Sequence, residues 1–373
     1  MVDRVTLRAS GPGTVLVLAG KPRERGYEHG RLARTDIATN LATVRRNLAA
    51  YAARGRAYDY DRVVARNQRF LQRTAPDVLD EIMGIADGAD LPFQDVLLLN
   101  VPVFLAGQFL PQECTQILLP PPVTATGRTY HAKTRDFNHE SAFRQVVLQR
   151  RDADGRETIE VHTAGTITWP GSGINSDGVT ISTSGVWSGR QTLDLDRAAE
   201  AWFLINPHLL LRQSRTVEDV WEALQAQPRI TGLNIVVSDG KRGAAFEATA
   251  DGEYRHDSEE GGIVRTNHYL TPEIRRLGPT QRDHPSSYHR HQRAAARIEA
   301  QRGQWDFSEI VALVGDHDGY PQSSICRHSQ GGESADTVYA SIATLPAGDF
   351  WTIMDHPCMA EVPAGEAAAL AGR

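Results

Sequence analysis

The feature that most restricts the fold of this chain is a change of pattern at Cys114. Before this residue, apolar side chains recur at helical spacing, as at Ile37, Leu41 and Val44. After it, apolar runs of four to six residues separated by turn residues predict strands. The first of these lie at Gln116–Leu119, Tyr130–Lys133, Val146–Arg150, Thr158–Thr163 and Val179–Thr183. We therefore expect a mainly helical segment that leads into a sheet.

In the second half of the chain, predicted helices and strands alternate in blocks. Thr216-Val-Glu-Asp219 is a capping box and predicts a helix start, and Asp239-Gly240 between two apolar runs predicts a β-hairpin. Helices are expected near 290–301 and 307–314, and strands near 337–342 and 350–354. Because strands and helices come in blocks, and no glycine-rich nucleotide motif occurs, the pattern favours an α+β layered sandwich over a parallel doubly wound sheet.

The composition is that of an ordinary globular protein. Of 373 residues, 40% are apolar and 23% charged, with a net charge of −6 and no basic cluster. This excludes an electrostatic footprint for nucleic acid or an anionic membrane surface. Neither a signal peptide nor an apolar segment long enough to span a membrane is recognisable, so a cytoplasmic location is expected.

The cysteines and histidines predict no metal centre. Three cysteines, Cys114, Cys326 and Cys358, are an odd number without a CxxC pair, which argues against a disulfide framework and a thiolate zinc site. The thirteen histidines contain no HExxH. We therefore expect neither a metal nor an organic cofactor.

Several motifs together resemble one family. Early and supporting matches are Gly26-Tyr-Glu-His-Gly30 and the stretch 81–89. The more specific ones are Cys114-Thr115, Arg135-Asp-Phe137, Arg265-Thr-Asn-His268, Arg290-His-Gln-Arg293 and Ser324-Ile-Cys-Arg327. In this order and spacing they resemble the isopenicillin N acyltransferase-like cysteine N-terminal-nucleophile (Ntn) hydrolases, relatives of choloylglycine hydrolases and penicillin acylases. The resemblance covers almost the whole chain.

The resemblance implies a four-layer αββα sandwich made as a precursor that cuts itself between Glu113 and Cys114. Residues 1–113 would become a helical small chain and residues 114–373 a catalytic chain, which stay associated as one domain. Family members often carry Gly at the position of Glu113. This departure leaves open a catalytically silent binding protein that keeps the fold.

The implied chemistry suits these residue types. A thiol with a pKa near ~8.5 needs a base at neutral pH, and a free α-amine with a pKa of roughly 7.7–8.0 is well matched to that task. Cleavage before Cys114 would place both groups on one residue. The resemblance further implies that Asp136 orients the amine, Asn267 donates to the oxyanion, and Arg327 holds the terminus or a substrate carboxylate.

The expected reaction is cleavage of a linear amide of a small molecule through a thioester, with transfer of the acyl group to water or an amine. An acyl-coenzyme A-dependent acyltransferase and an ester or lactone hydrolase remain as alternatives. Arg290 and Arg293 are expected to tie a helix to the sheet edge. Cys326 and His268 are expected to be a packed thiol and a hydrogen-bonded histidine.

Overall fold

The computed structural model describes residues 5–53, 59–101, 113–137, 143–168, 170–186, 207–226, 232–258, 261–329 and 335–360. Within these ranges the chain forms two β-sheets and a set of helices. None of the described helices is both long and apolar enough to cross a membrane. The predicted helix over 197–212 falls largely outside the described residues; its last part is described and is helical.

The first sheet has six strands in the order β1-β14-β13-β4-β3-β12. Their bounds are Thr6–Ser10 (β1), Glu113–Leu119 (β3), Thr129–Phe137 (β4), Ile263–Arg265 (β12), Asp336–Leu345 (β13) and Asp349–Ile353 (β14). All neighbouring pairs are antiparallel except β1 with β14, which is parallel. The strand that carries Cys114 is therefore second from one edge, paired on both sides.

The second sheet has eight strands in the order β11-β10-β9-β8-β7-β6-β5-β2. Their bounds are Thr14–Ala19 (β2), Gln145–Arg151 (β5), Glu157–Thr163 (β6), Ser172–Asn175 (β7), Thr180–Val186 (β8), Gly232–Ser238 (β9), Gly243–Ala248 (β10) and Glu253–Asp257 (β11). Only the β2–β5 pair is parallel. The hairpin predicted around Asp239-Gly240 is confirmed as β9–β10.

Helices cover the outer face of each sheet. Ile117 and Ile342 of the first sheet pack with Ile298 and Phe307. These two residues lie on the helices α8 (Pro285–Ala300) and α9 (Phe307–Val314). The outer face of the second sheet packs against the remaining helices. These are Pro22–Leu32 (α1), Arg34–Ala53 (α2), Tyr60–Thr74 (α3), Pro76–Ala89 (α4), Phe93–Asn100 (α5), Pro207–Gln213 (α6) and Val217–Ala226 (α7).

The inner faces of the two sheets pack on each other. Val147 and Ile159 of the second sheet lie in one apolar cluster with Tyr339 and Phe350 of the first. Polar contacts also cross this layer: Gln116 donates a 2.7 Å hydrogen bond to Ser184. The molecule is thus the four-layer αββα sandwich of the Ntn hydrolases, as expected.

The N-terminal segment is mostly helical, as predicted, but it also supplies β1 and β2, one edge strand to each sheet. Both pair in parallel with strands more than 100 residues away. Its helices α1 and α4 cross at backbone contact, since a Cβ on Gly26 would lie 2.0 Å from the carbonyl oxygen of Glu81. The early glycine motif therefore serves close helix packing.

Candidate active site

Cys114 is the second residue of β3 and is buried. It lies opposite Arg135 of β4, while Gln116 lies opposite Lys133. Side chains alternate across a strand, so Cys114 projects to the same side as Gln116, towards the second sheet. The thiol therefore belongs to the layer between the sheets.

The residues that flank Cys114 project to the other side of the strand, towards α8. There Arg290 donates a 3.0 Å hydrogen bond to Thr115 Oγ1 and lies 3.1 Å from Glu113 Oε2. Asp136 is the cross-strand partner of Glu113 and shares this side. The site thus occupies both faces of β3.

Arg290 contacts the predicted nucleophile itself. Its Nη1 donates a 2.6 Å hydrogen bond to the carbonyl oxygen of Cys114, and its Nη2 donates a 3.0 Å bond to Asn267 Oδ1. We expected Arg290 and Arg293 to tie a helix to the sheet edge. Arg290 does join α8 to β3 through its bonds to Cys114 and Thr115, and it also enters the site, whereas Arg293 pairs with Asp316. The motif that contains Arg290 was recognised in the sequence. Its contact with Cys114 could not be predicted, because the two residues are far apart along the chain.

Asn267 follows the short strand β12, which pairs with β3 and so brings this side chain to Cys114. Asn267 Oδ1 accepts a 2.9 Å hydrogen bond from the backbone N–H of Cys114. Its Nδ2 donates a 3.0 Å bond to the carbonyl oxygen of Gly185. The oxygen of Asn267 thus holds the nitrogen of the predicted scissile bond.

His268, the next residue, is hydrogen-bonded, as expected. Its Nδ1 lies 2.8 Å from Ser287 Oγ, and its ring stacks on Tyr288 at 3.8 Å. Burial lowers the pKa of His268 to about 3, so the imidazole is neutral. Ser287 Oγ also accepts a 2.8 Å hydrogen bond from the backbone of Asn267. His268 therefore supports the segment that carries Asn267.

Glu113 is the centre of a buried ion cluster. Its carboxylate accepts hydrogen bonds from Arg327 and Arg290 and, at 2.6 Å, from Ser286. Burial raises the pKa of Glu113, but the charges of Arg290 and Arg327 lower it by more, to about 2. Arg327, expected near the nucleophile, is thus bound in this structure by the side chain that precedes Cys114.

Asp136 is linked to Arg327 through one hydroxyl group. Thr337 Oγ1 donates a 2.7 Å hydrogen bond to Asp136 Oδ1 and accepts a 2.9 Å bond from the backbone of Arg327. Among the described residues the other carboxylate oxygen of Asp136 has no hydrogen-bond partner. Burial raises the pKa of Asp136 to about 7, against the lowering effect of Arg290 and Arg327. This carboxyl group can therefore gain or lose a proton near neutral pH.

Lys133 is a site residue that the sequence analysis missed. It is buried and donates a 2.9 Å hydrogen bond to the carbonyl oxygen of Gly171 and another to that of Thr183. Burial lowers the pKa of Lys133 to about 8, although its neighbour Cys114 raises it. The sequence offered one signal for Lys133. It lies two residues before Arg135 of the motif Arg135-Asp-Phe137, so on a strand it projects to the same side of the sheet as Arg135 and its partner Cys114.

The structure therefore brings the four predicted residues into one hydrogen-bonded network. Cys114 and Asn267 are in direct contact, and Glu113 and Arg290 join this pair to Arg327 and Asp136. Within the described ranges, the only grouping of metal-type ligands lies at a different place and does not include Cys114. The site is one of thiol, carboxylate, amide and guanidinium groups.

Comparison with solved structures returns proteins of low identity. A mutant of conjugated bile acid hydrolase from Clostridium perfringens superimposes with a TM-score of 0.41 at 14% identity, over 64% of this chain and 88% of that one. Penicillin V acylase from Agrobacterium tumefaciens gives a TM-score of 0.39 at 16% identity, over 62% of this chain and 79% of that one.

The family comparison covers more than half of the sequence. Residues 123–358 match the model of the acyl-coenzyme A:6-aminopenicillanic acid acyl-transferase family. The matched range includes Asp136, Asn267 and Arg327 and begins shortly after Cys114. The chain belongs to this family and is an enzyme of the Ntn type, which acts by amide hydrolysis or acyl transfer.

Proposed function

We propose that this enzyme is a self-processing cysteine amidohydrolase with Cys114 as its nucleophile. The observation that carries the proposal is that both ends of the Cys114 backbone are held by polar side chains. Asn267 Oδ1 accepts from its N–H at 2.9 Å, and Arg290 Nη1 donates to its carbonyl oxygen at 2.6 Å. Strand β12 ends at Arg265, opposite Gln116, so the backbone of Cys114 on this edge is bonded by two candidate catalytic side chains and not by a strand.

Processing would begin with attack of the Cys114 thiol on the carbonyl carbon of Glu113. The C–N bond breaks, the nitrogen takes a proton, and a thioester joins the Glu113 carbonyl to Sγ. Water then attacks the thioester, which returns the thiol and leaves a carboxylate on Glu113. The products are chains 1–113 and 114–373, the second beginning with a free α-amine on Cys114.

In the processed enzyme the α-amine would act as base for the thiol. Asn267 Oδ1 already faces this nitrogen and supports a role in holding the amine. We assign Asn267 Nδ2 to donate to the oxyanion, and Asp136 to the hydrogen-bond network of the amine. Attack on a linear amide then gives a thioester acyl-enzyme, and water accepts the acyl group.

The two chains would remain associated, because the interface between them is extensive. Leu16 and Ile37 of the small chain share one buried cluster with Val146 and Leu148 of the large chain. Strands β1 and β2 pair with β14 and β5. A buried ion pair of 2.7 Å joins Glu81 to Arg150 across the same boundary. Residues 1–113 are therefore structural as well as a pro-segment.

Amide hydrolysis is placed ahead of the alternatives. An acyl-coenzyme A donor has no support from a phosphate-binding glycine loop in the sequence. An ester or lactone would use the same thiol, and relative rates on matched amide and ester substrates separate these functions. A silent binding protein is opposed by the retained Cys114, Asp136, Asn267 and Arg327.

The decisive experiment is intact-mass analysis of purified protein followed by N-terminal sequencing of the larger fragment. We expect two chains, the larger beginning Cys-Thr-Gln-Ile-Leu. A single chain that persists after prolonged incubation would contradict self-processing between Glu113 and Cys114. A larger fragment that begins elsewhere would contradict Cys114 as the nucleophile.

A further inference from the structure

Four metal-type ligands meet away from Cys114. They are His317, Cys326, His328 and Cys358, whose ligand atoms all lie within 4.8 Å of one another. Three of them lie in the loop that follows α9, and Cys358 lies in the short turn after β14. We propose that these four side chains form a structural zinc site.

Two of the separations between these ligand atoms match those in a tetrahedral zinc site. With zinc–sulfur distances of about 2.3 Å and zinc–nitrogen distances of about 2.0–2.1 Å, neighbouring ligand atoms in a tetrahedron are roughly 3.3–3.8 Å apart. Nε2 of His328 lies 3.6 Å from Cys326 Sγ and 3.3 Å from Cys358 Sγ. One imidazole nitrogen thus faces both thiols at the spacing that a shared zinc ion requires.

The chemistry of the four ligands indicates which metal they bind and whether the site is structural or catalytic. Two thiolates and two imidazoles in a tetrahedron are typical of zinc, and four protein ligands leave no position for a reacting water. Cys326 is buried while His317 and Cys358 are exposed, so the site lies at the surface and an ion can enter from solvent. The site is therefore structural and separate from the thiol chemistry at Cys114.

Neighbouring contacts hold these segments in place. The backbone N–H of Cys326 donates a 3.0 Å hydrogen bond to the carbonyl oxygen of Asp316, the residue before His317. The Asp316 side chain is paired with Arg293 of α8 at 2.8 Å. On the other side, a Cβ on Gly315 would lie 3.2 Å from the Cα of Cys358, so glycine permits this close approach. These contacts hold the backbone of the segments that carry the four ligands.

The site has a consequence for the active centre. Arg327 stands between the ligands Cys326 and His328, and its guanidinium is paired with Glu113. An ion bound on both sides of Arg327 would fix the loop that presents this residue. The sequence predicted no metal site, because Cys358 is distant from the other three ligands along the chain and the four residues form no motif of ligand spacing.

The test measures metal in the untagged full-length protein, purified under reducing conditions, by inductively coupled plasma mass spectrometry. We expect about one zinc per chain, and cobalt exchange should give the visible bands of a tetrahedral thiolate site. His317→Ala and Cys358→Ser, at exposed positions, should lose most of the metal. The matched controls Cys114→Ser and His256→Gln should keep it.

Three results would overturn the site. The first is wild-type protein that takes up neither zinc nor cobalt after reconstitution. The second is an unchanged zinc content in Cys358→Ser. The third is a disulfide between Cys326 and Cys358 that persists under reducing conditions. Because metal content is read without an activity assay, these results are independent of whether the chain processes itself.

Discussion

The backbone N–H of Cys114 donates a hydrogen bond of 2.9 Å to Asn267 Oδ1. The two residues are 153 positions apart, and the contact exists because β12 pairs with β3. The same oxygen accepts from Arg290, so its orientation is set by two donors. The nitrogen that cleavage would free is therefore held in place before cleavage.

Replacement of Cys114 by alanine should leave one full-length chain without activity, because alanine offers no nucleophile for the acyl shift or the substrate. Cys114→Ser should cut slowly or not at all, since a hydroxyl is the poorer nucleophile near neutral pH. Glu28→Gln, at an exposed surface pair, should still process. Intact mass over time reports all three variants, and normal cleavage in Cys114→Ala would exclude the mechanism.

Asn267→Ala should lower turnover about 100–1000-fold, because an oxyanion donor acts mainly on the transition state. A matched control is Asn175→Ala, which removes buried hydrogen bonds of 2.6 and 2.8 Å to Leu211 and Ser214, far along the chain from the site. The control should lower thermal stability and leave turnover unchanged. A folded Asn267→Ala protein with near-normal turnover would remove this residue from the site.

The reaction rate should fall at alkaline pH as Lys133 loses its proton. The pKa of Lys133 is lowered to about 8, so its positive charge beside Cys114 is present below that pH and is lost as pH rises through it. We expect Lys133→Met to be slow at every pH and Lys133→Arg to extend activity to higher pH. Rate profiles from pH 6 to about 10 test this. Identical alkaline limbs in wild type and Lys133→Arg would show that another group causes the decline.

Glu113 should stabilise the uncleaved chain in a pH-dependent way. Its pKa is about 2 in the folded state against 4.5 for the free group, so its stabilisation is full above about pH 4.5 and is lost as pH falls towards 2. The difference corresponds to roughly 3 kcal/mol. In the Cys114→Ala background, the stability gap between Glu113 and Glu113→Gln proteins should shrink over that range. A gap that stays constant with pH would contradict the ion cluster.

Glu81→Gln should weaken the association of the two chains. It leaves Arg150, which contacts Glu81 at 2.7 Å, buried without this carboxylate, a loss of about 3–5 kcal/mol for such pairs. Arg25, which contacts Glu81 at 2.9 Å, keeps its 3.2 Å pair with Asp152. Glu28→Gln, at an exposed pair with Arg31, is the control and should be neutral. Thermal melting and size-exclusion chromatography of the processed protein measure both. Equal melting of the two variants would show that the Glu81 pair contributes little.

Local patterns predicted the elements whose signals are local. The capping box at Thr216 is confirmed by reciprocal hydrogen bonds of 3.1 and 3.0 Å with Asp219. The helix predicted at Phe307–Val314 has those bounds in the structure. Strands β1 and β2 were missed, because they are edge strands whose partners lie more than 100 residues away. For β2 a local signal did exist, since the Val- and Leu-rich run Thr14–Ala19 lies between Gly13 and Gly20, but the run does not identify its pairing partner.

The sequence by itself determined the order of helical and strand blocks, the break in pattern at Cys114 and the family motifs, because periodicity and motif spacing are properties of neighbouring residues. Only the tertiary structure decided that Arg290 and Lys133 join the site, on opposite sides of β3, and that Cys358 meets Cys326. Those contacts depend on strand register and on which helix packs on which sheet face. Such information arises when distant segments share one core, and no single stretch of the chain contains it.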